Sequence, residues 1–457
     1  MPEALAAFVR RARQRRGTPR PHDDLARALS EMPDIVVIGG GHVGLTLLTD
    51  LVSTQKSHGF RPTLLFVRRG SGQRVFGSLT RTNLLDGRQD SVELRAGHFG
   101  SLYGEDADVL LDRAEHIVVT VPDIPALRLE LMDRIAGLGR LAGKVITFVR
   151  AGQGGQPVVA DWVRRTPQLR NASVVLVEDA FYGTRVSGAH IAYKRKFSVN
   201  VSVYSRTPES AAERVRALFP LGAEIGKQSW PDVAVRPGIG LLFDPLGYII
   251  HVGVAFHSRN LVKTRAGRRY LHYTDGIDRE LAPLLAALDQ ERVDLARAYG
   301  VKTETFPRII ERQYGLPHRS DFYEMMQSCR EIYRSTSCAS LAELRQSRLV
   351  REDLPGLRTI RWLADVAGVT LPVTERYETE VARTALDLGV AQADLDGYLP
   401  QLAEIRADMP FLRSLLVSPH ALQVVGGDGT SANVLRRLPW SCMPGPLVHE
   451  ERMLSAG

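Results

Sequence analysis

The sequence predicts an α/β protein in which a doubly wound parallel sheet is followed by an all-helical second domain. Three observations lead there. A glycine-rich turn, Gly39-Gly40-Gly41-His42-Val43-Gly44, joins a β-branched run to an apolar helical pattern. Strand-like apolar runs then alternate with helical stretches to about residue 205. Past about residue 240 the apolar spacing is helical. The 457 residues allow two or three folding units at about 150 residues each. An apolar share of 44% and a charged share of 24% exclude a disordered or collagen-like chain.

The net charge of +8 is unevenly placed. Residues 1–20 carry six arginines against Glu3 alone, so the rest of the chain is nearly balanced. The basic character therefore gives no reason to expect a nucleic-acid partner. No apolar segment follows the arginines, which excludes a secretory signal and leaves a basic extension over residues 1–30. No run of 18 apolar residues exists to span a membrane. Cys329, Cys338 and Cys442 are an odd number without CxxC spacing. They read as reduced thiols of a cytoplasmic protein, with no metal site.

The first strand is Ile35-Val36-Val37-Ile38, and the turn after it matches G-x-G-x-x-G. Gly39 takes the tight turn, Gly41 admits a pyrophosphate against the backbone, and Gly44 lets helix and strand pack closely. With His42 and Val43 at the helix start, this is the fingerprint of a Rossmann-like dinucleotide site. The second strand is Pro62-Thr63-Leu64-Leu65-Phe66-Val67. No acid lies between Asp50 and Asp86, where an NAD site usually places one for the ribose hydroxyl. Lys56, Arg61, Arg68, Arg69, Arg74 and Arg81 occupy that interval instead. The expected cofactor is therefore NADP, with Arg69 as the main 2′-phosphate contact and Arg68 as a second.

Further strands are expected at 117–122, 144–149 and 174–177, with a helix over 123–139. The glycine-rich loop 152–155, including Gly154, belongs at the carboxyl edge of the sheet beside the cofactor. An alternating run over 197–204 reads as an antiparallel strand closing the domain. Just before it, Lys194, Arg195 and Lys196 fit either a solvated strand edge or, with Arg185 and Arg259, a patch attracting carboxylates. Glycines and prolines over 226–240 mark a linker. Leu281, Leu284, Leu285 and Leu288 then show helical spacing, as do Ile360, Leu363, Ala364 and Ala367. The expected organisation is a basic extension over 1–30, a dinucleotide-binding domain over 31–235, a helical catalytic domain over 236–400 and a C-terminal extension over 401–457.

Three segments together resemble the opine dehydrogenases, and more closely their opine-metallophore branch of the staphylopine and pseudopaline type. They are the GGGHVG turn with the later Val67-Arg68-Arg69-Gly70, the run Tyr248-Ile249-Ile250-His251, and Arg348 followed by Glu352-Asp353. A helix ending in Gly368-Val369-Thr370-Leu371-Pro372 completes the third segment. Phe181-Tyr182-Gly183-Thr184-Arg185 is similar to a metallophore-branch loop, except that Gly183 stands where that branch has an Asp. The likeness spans residues 34–390 and implies reductive condensation of an amino-acid-derived amine with a 2-oxo acid, pyruvate or 2-oxoglutarate. It implies His251 as general acid/base, Asp353 as its carboxylate partner, Arg348 as the oxo-acid clamp, and a homodimer. Arg185 is a second expected substrate contact. His257 and His272 match nothing in the pattern. Two alternatives stay open: a 2- or 3-hydroxyacid dehydrogenase working without an amine, and an inactive NADPH-binding sensor or scaffold.

Overall fold

The computed structural model describes residues 34–58, 61–67, 77–151, 154–205, 208–218, 232–236, 238–244 and 246–405, with 410 and 412. Arg68 and Arg69, the extension over 1–30, Gly152 and Cys442 lie outside the described residues. So does nearly all of the C-terminal extension.

The described strands in chain order are β1 (Asp34–Ile38), β2 (Arg61–Phe66), β3 (Gly77–Asn83), β4 (Gln89–Leu94), β5 (Phe99–Ser101) and β6 (His116–Val119). They continue with β7 (Val145–Phe148), β8 (Ser173–Val177), β9 (Tyr182–Ser187), β10 (His190–Arg195), β11 (Ser198–Tyr204) and β12 (Asp232–Val235). Eight of them form one sheet in the order β12-β11-β8-β7-β6-β1-β2-β5. The stretch from β5 to β8 is parallel throughout, and the strand order reverses direction between β1 and β6. Strands β6 and β7 are buried at every residue, which their continuous apolar sequences require of strands covered on both faces. The fold class read from the sequence is the one observed.

Two details differ from expectation. Strand β11 does run antiparallel to β8, but it does not close the sheet, because β12 pairs beyond it. A second, mixed sheet, β4-β3-β10-β9, was not foreseen. Its strands β3 and β4 are polar and half exposed, so they lack the apolar run that flags a buried strand.

The second sheet packs on helix α1 (His42–His58) through a buried ion cluster. Asp50, with no exposed surface, accepts from Arg81 at 2.7 Å, Arg195 at 2.8 Å and the Tyr182 hydroxyl at 2.6 Å. Burial would raise the Asp50 carboxyl, but the two guanidinium groups hold it below its ordinary pKa. Arg81, one of the cations between Asp50 and Asp86, is thus no solvated loop residue, and the charge of Arg195, expected in a carboxylate-attracting patch, is paired with Asp50. Arg61 likewise pairs with Asp34 at 2.8 Å, and Arg259 pairs on the surface with Asp278 and Glu280.

Helices α2 (Pro125–Ala136) and α3 (Gly155–Arg165) cover the large sheet. The helical domain is organised around α4 (Ala282–Ala298), α5 (Phe306–Tyr314), α6 (Pro355–Ala367) and α7 (Pro372–Asp387). Gly368 ends α6 at φ 65°, the left-handed cap expected of a glycine there. One apolar core runs from sheet residues such as Ile117 and Phe148 into helical-domain residues such as Leu285, Leu357 and Ile360. Polar contacts stitch the same seam: Tyr398 donates to Asp123 at 2.7 Å and Gln156 to the Leu241 carbonyl at 3.1 Å. Among the described residues, no helix is long and apolar enough to cross a membrane.

Candidate active site

A cavity of about 600 Å³ lies along this seam, at the carboxyl ends of β1, β6 and β7. Its lining runs from Gly41 and His42 at one end past Thr120, Val149, Arg150 and Gly154 to His251, Tyr273, Arg348 and Asp353. This is the crevice at the reversal of strand order, where open parallel sheets bind ligands.

The glycine turn forms one end. Gly39 has φ 119°, which only glycine adopts readily. A Cβ on Gly44 would stand 1.9 Å from the Gly39 carbonyl oxygen, so this glycine permits the close approach of α1 to β1. A Cβ on Gly41 would meet nothing within 4 Å. Open space above Gly41 at the start of α1 is what a pyrophosphate needs, so the residues present fit a dinucleotide. The neighbouring residues His42, Val43 and Gly154 also line the cavity. His42 uses Nδ1 to accept the Val186 backbone N–H at 2.9 Å, which ties α1 to the second sheet and leaves Nε2 as the protonated nitrogen. Burial, aided by Arg185, pushes the His42 pKa down, so it stays neutral. Arg185, expected beside the substrate, lines the cavity near His42 and the glycine turn. Val43 is half-buried in the wall, and Gly154 caps α3 against Tyr398 and Thr359 of the helical domain.

At the other end, two π-helical turns face each other: Tyr248–Val252 carries His251 and Leu349–Asp353 carries Asp353. In the second turn, the Leu354 N–H reaches back to the Leu349 carbonyl at 3.0 Å. Pro355, lacking an N–H, cannot restore the tighter ladder there. The widened turns re-aim the side chains at their ends. His251 Nδ1 and Asp353 Oδ2 are 2.8 Å apart, both buried. Gly247 makes the approach possible, because a Cβ there would lie 1.9 Å from Asp353 Oδ1.

Asp353 is held from the sheet side as well. Arg150 follows β7 at φ 55°, a left-handed conformation strained for a side chain with a Cβ. It places Nη2 3.2 Å from Asp353 Oδ1 and Nε within 3.4 Å of both Asp179 and Glu352. Burial would raise the Asp353 pKa, yet His251 and Arg150 keep it below the ordinary carboxylate range. Ionised Asp353 accepts, so His251 Nδ1 carries the proton and Nε2 accepts from the Tyr273 hydroxyl at 2.8 Å. Burial, and after it the Asp353 charge, keep that phenol protonated. Tyr273 and His251 thus line the cavity together, joined by this hydrogen bond.

His272, matched to nothing in the sequence pattern, packs its ring 6.0 Å from that of His251. Burial and the neighbouring His251 push its pKa down to about 3, so it is neutral. Arg348 lines the cavity with 39% of its side chain exposed and one N–H engaged by Glu352 at 3.3 Å. Lys194 and Lys196 also line it, and both are buried, which rules out the solvated strand edge. Arg150, Tyr273 and His272 gave no warning in the sequence, since none belongs to a spaced motif.

With this geometry in view, comparisons with known proteins narrow the reading. Residues 237–379 match a family model described as NAD/NADP octopine/nopaline dehydrogenase, alpha-helical domain. The matched segment is similar to the alpha-helical domain of that family. No curated protein matches the chain in sequence. Among solved structures, an octopine dehydrogenase in complex with NADH and agmatine superposes with a TM-score of 0.63 at 16% identity. That match covers 84% of this chain and 98% of that one. A yersinopine dehydrogenase with NADP+ bound gives 0.57 at 12% identity over 86% and 99% of the two chains. A D-mandelate dehydrogenase gives 0.52 at 12% identity over 78% and 100%. The two-domain architecture, sheet and helices together, is thus the octopine dehydrogenase fold.

Proposed function

We propose that the chain is an NADPH-dependent opine dehydrogenase that joins an amino-acid-derived amine to pyruvate or 2-oxoglutarate. The observation that carries this reading is the His251–Asp353 pair, hydrogen-bonded to Tyr273, in the same cavity as a glycine turn open to a dinucleotide. The helical-domain match supports the same reaction class. The Gly39–Gly44 turn and the start of α1 would hold the cofactor, with Arg185 beside its phosphates and Arg68 and Arg69 at its 2′-phosphate. The bound cofactor supplies the hydride.

The chain's own groups handle carboxylates and protons. Arg348 anchors the oxo-acid carboxylate, which fixes the keto carbon in the cavity. The amine nitrogen attacks that carbon after losing a proton, and the carbonyl oxygen must leave as water. Both transfers need a group that gives and takes a proton. His251 does so at Nε2, and Tyr273, hydrogen-bonded to that nitrogen, passes the proton to the cavity. Asp353 fixes the tautomer and stabilises imidazolium, while Arg150 keeps Asp353 in place.

NADPH oxidation that requires both amine and oxo acid, with the secondary amine found by mass spectrometry, is the expected result. Turnover on an oxo acid without any amine would favour a 2-hydroxyacid dehydrogenase, a reading to which the D-mandelate dehydrogenase likeness lends weight. Tyr273→Phe, which keeps the ring and removes the relay, should lower kcat about 10- to 100-fold with KM little changed.

A further inference from the structure

The cavity wall holds several cations, and most are neutralised. Arg150 pairs with Asp179, Glu352 and Asp353, Arg348 with Glu352, and Lys196 with Asp179. Lys194 differs. It is 2% exposed, and no described carboxylate forms a salt bridge with it, although Arg195 and Lys196 beside it are both paired. Its ammonium donates to the Ile332 carbonyl at 2.8 Å and rests 3.5 Å from the centre of the Tyr333 ring and 4.5 Å from that of Tyr314. Ring faces and one carbonyl compensate only part of the lost hydration of an ammonium group.

The position is held from below. A Cβ on Gly183 would stand 2.4 Å from Lys194 Cε, so the absence of a side chain at 183 is what lets this lysine lie in the wall. Tyrosine rings link it to the His251 end. Tyr273, bonded to His251, lies 4.6 Å from Tyr333 between ring centres, and Tyr333 carries the ammonium. Lys194 therefore faces the same cavity one tyrosine beyond the proton relay, at a place suited to a remote substrate group.

We infer that Lys194, caged by Tyr314, Tyr333 and the Ile332 carbonyl, is an anion subsite for a second substrate carboxylate, one remote from the reacting carbon and nitrogen. This deepens the proposed function and rests on it: the substrate pair carries a dicarboxylate. An incoming carboxylate supplies the counter-ion that the fold omits. Burial already depresses the Lys194 pKa well below that of a free lysine, so the uncompensated site is costly to keep charged.

The carboxylate could come from either substrate, and the assay has an arm for each. With the amine fixed, 2-oxoglutarate is compared with pyruvate. With pyruvate fixed, glutamate is compared with glutamine, its neutral isostere. Wild type should favour the extra carboxylate in one arm by about tenfold in KM, and Lys194→Met should abolish that preference. In parallel, calorimetry in the presence of NADP+ compares glutarate with its monoamide. Wild type should bind glutarate about tenfold tighter, with the ratio falling to about one in Lys194→Met. Gly183→Ala, which displaces the lysine without removing its charge, should reduce the ratio partway, and thermal melting verifies that both variants fold. An unchanged ratio in folded Lys194→Met, or no glutarate preference in wild type, overturns the inference. Lys194-dependent glutarate binding without turnover on any pair would leave the subsite standing and defeat the opine dehydrogenase reading. Amine-dependent turnover with no such preference does the reverse.

Discussion

At the glycine turn the cavity wall comes from one contiguous segment, Gly41 to Val43, shaped by the backbone of the Gly39–Gly44 turn. At the His251 end it is side chains gathered from distant segments: His251, Tyr273, Asp353 and, from the sheet domain, Arg150. The first wall works by what is missing, since a methyl group on Gly44 would strike the Gly39 carbonyl while one on Gly41 would fill only open space. The second works by what is present and paired, as each atom of the His251–Asp353–Arg150 chain accepts or donates to the next. A wall of backbone tolerates no added atoms, and a wall of charges tolerates no lost ones.

Substitutions that break the charged end should have the largest effects. Asp353→Asn, nearly isosteric but uncharged, should lower kcat about 10²- to 10⁴-fold by leaving His251 in the wrong tautomer and its imidazolium unstabilised. Steady-state kinetics measures this, and a loss below threefold would contradict it. Gly247→Ala should imitate that loss without touching a charge, because its Cβ would displace Asp353.

The glycine end separates stability from binding. Gly44→Ala should destabilise by about 1–3 kcal/mol or more, through backbone overpacking seen as a lower Tm. Gly41→Ala should melt like wild type and instead raise the Kd for NADPH, measured by fluorescence titration. If both variants behaved alike, the distinction between packing glycine and cofactor glycine would fail.

The smallest effect is on pH dependence and concerns buried groups of opposite sign. His116 and His272 are neutral in the fold, their pKa values pushed to about 3 by burial. They add stability above pH 6.5, and it is lost as pH falls from there toward 3. Asp244 is raised to about 7 by burial and by the Glu178 charge, so its contribution is present at low pH and lost as pH rises through about 7. Asp244→Asn should therefore gain Tm over wild type at pH 8 and not at pH 4. A constant difference across that range would show that Asp244 is ionised throughout.

Features that depend on neighbours in the chain were open to reading. The β-branched run, the glycine spacing and the left-handed cap at Gly368 each rest on conformational preferences within a few residues. The pairing of His251 with Asp353 was expected only by resemblance, since nothing in either segment points to the other. Gly183, noted as a departure from the metallophore pattern, shows its purpose only when Lys194 is seen lying against it.

The sequence by itself determined the sheet-then-helices order and the place of the glycine turn, because periodicity and glycine conformations are local properties. Only the tertiary structure decided which charges are spent and which remain available. Arg81 and Arg195 are consumed by Asp50, while Arg150 reaches across the seam to Asp353 and Lys194 is left without a carboxylate. Electrostatic pairing acts through space between segments of any separation, and burial sets its strength, so neither can be counted along the chain.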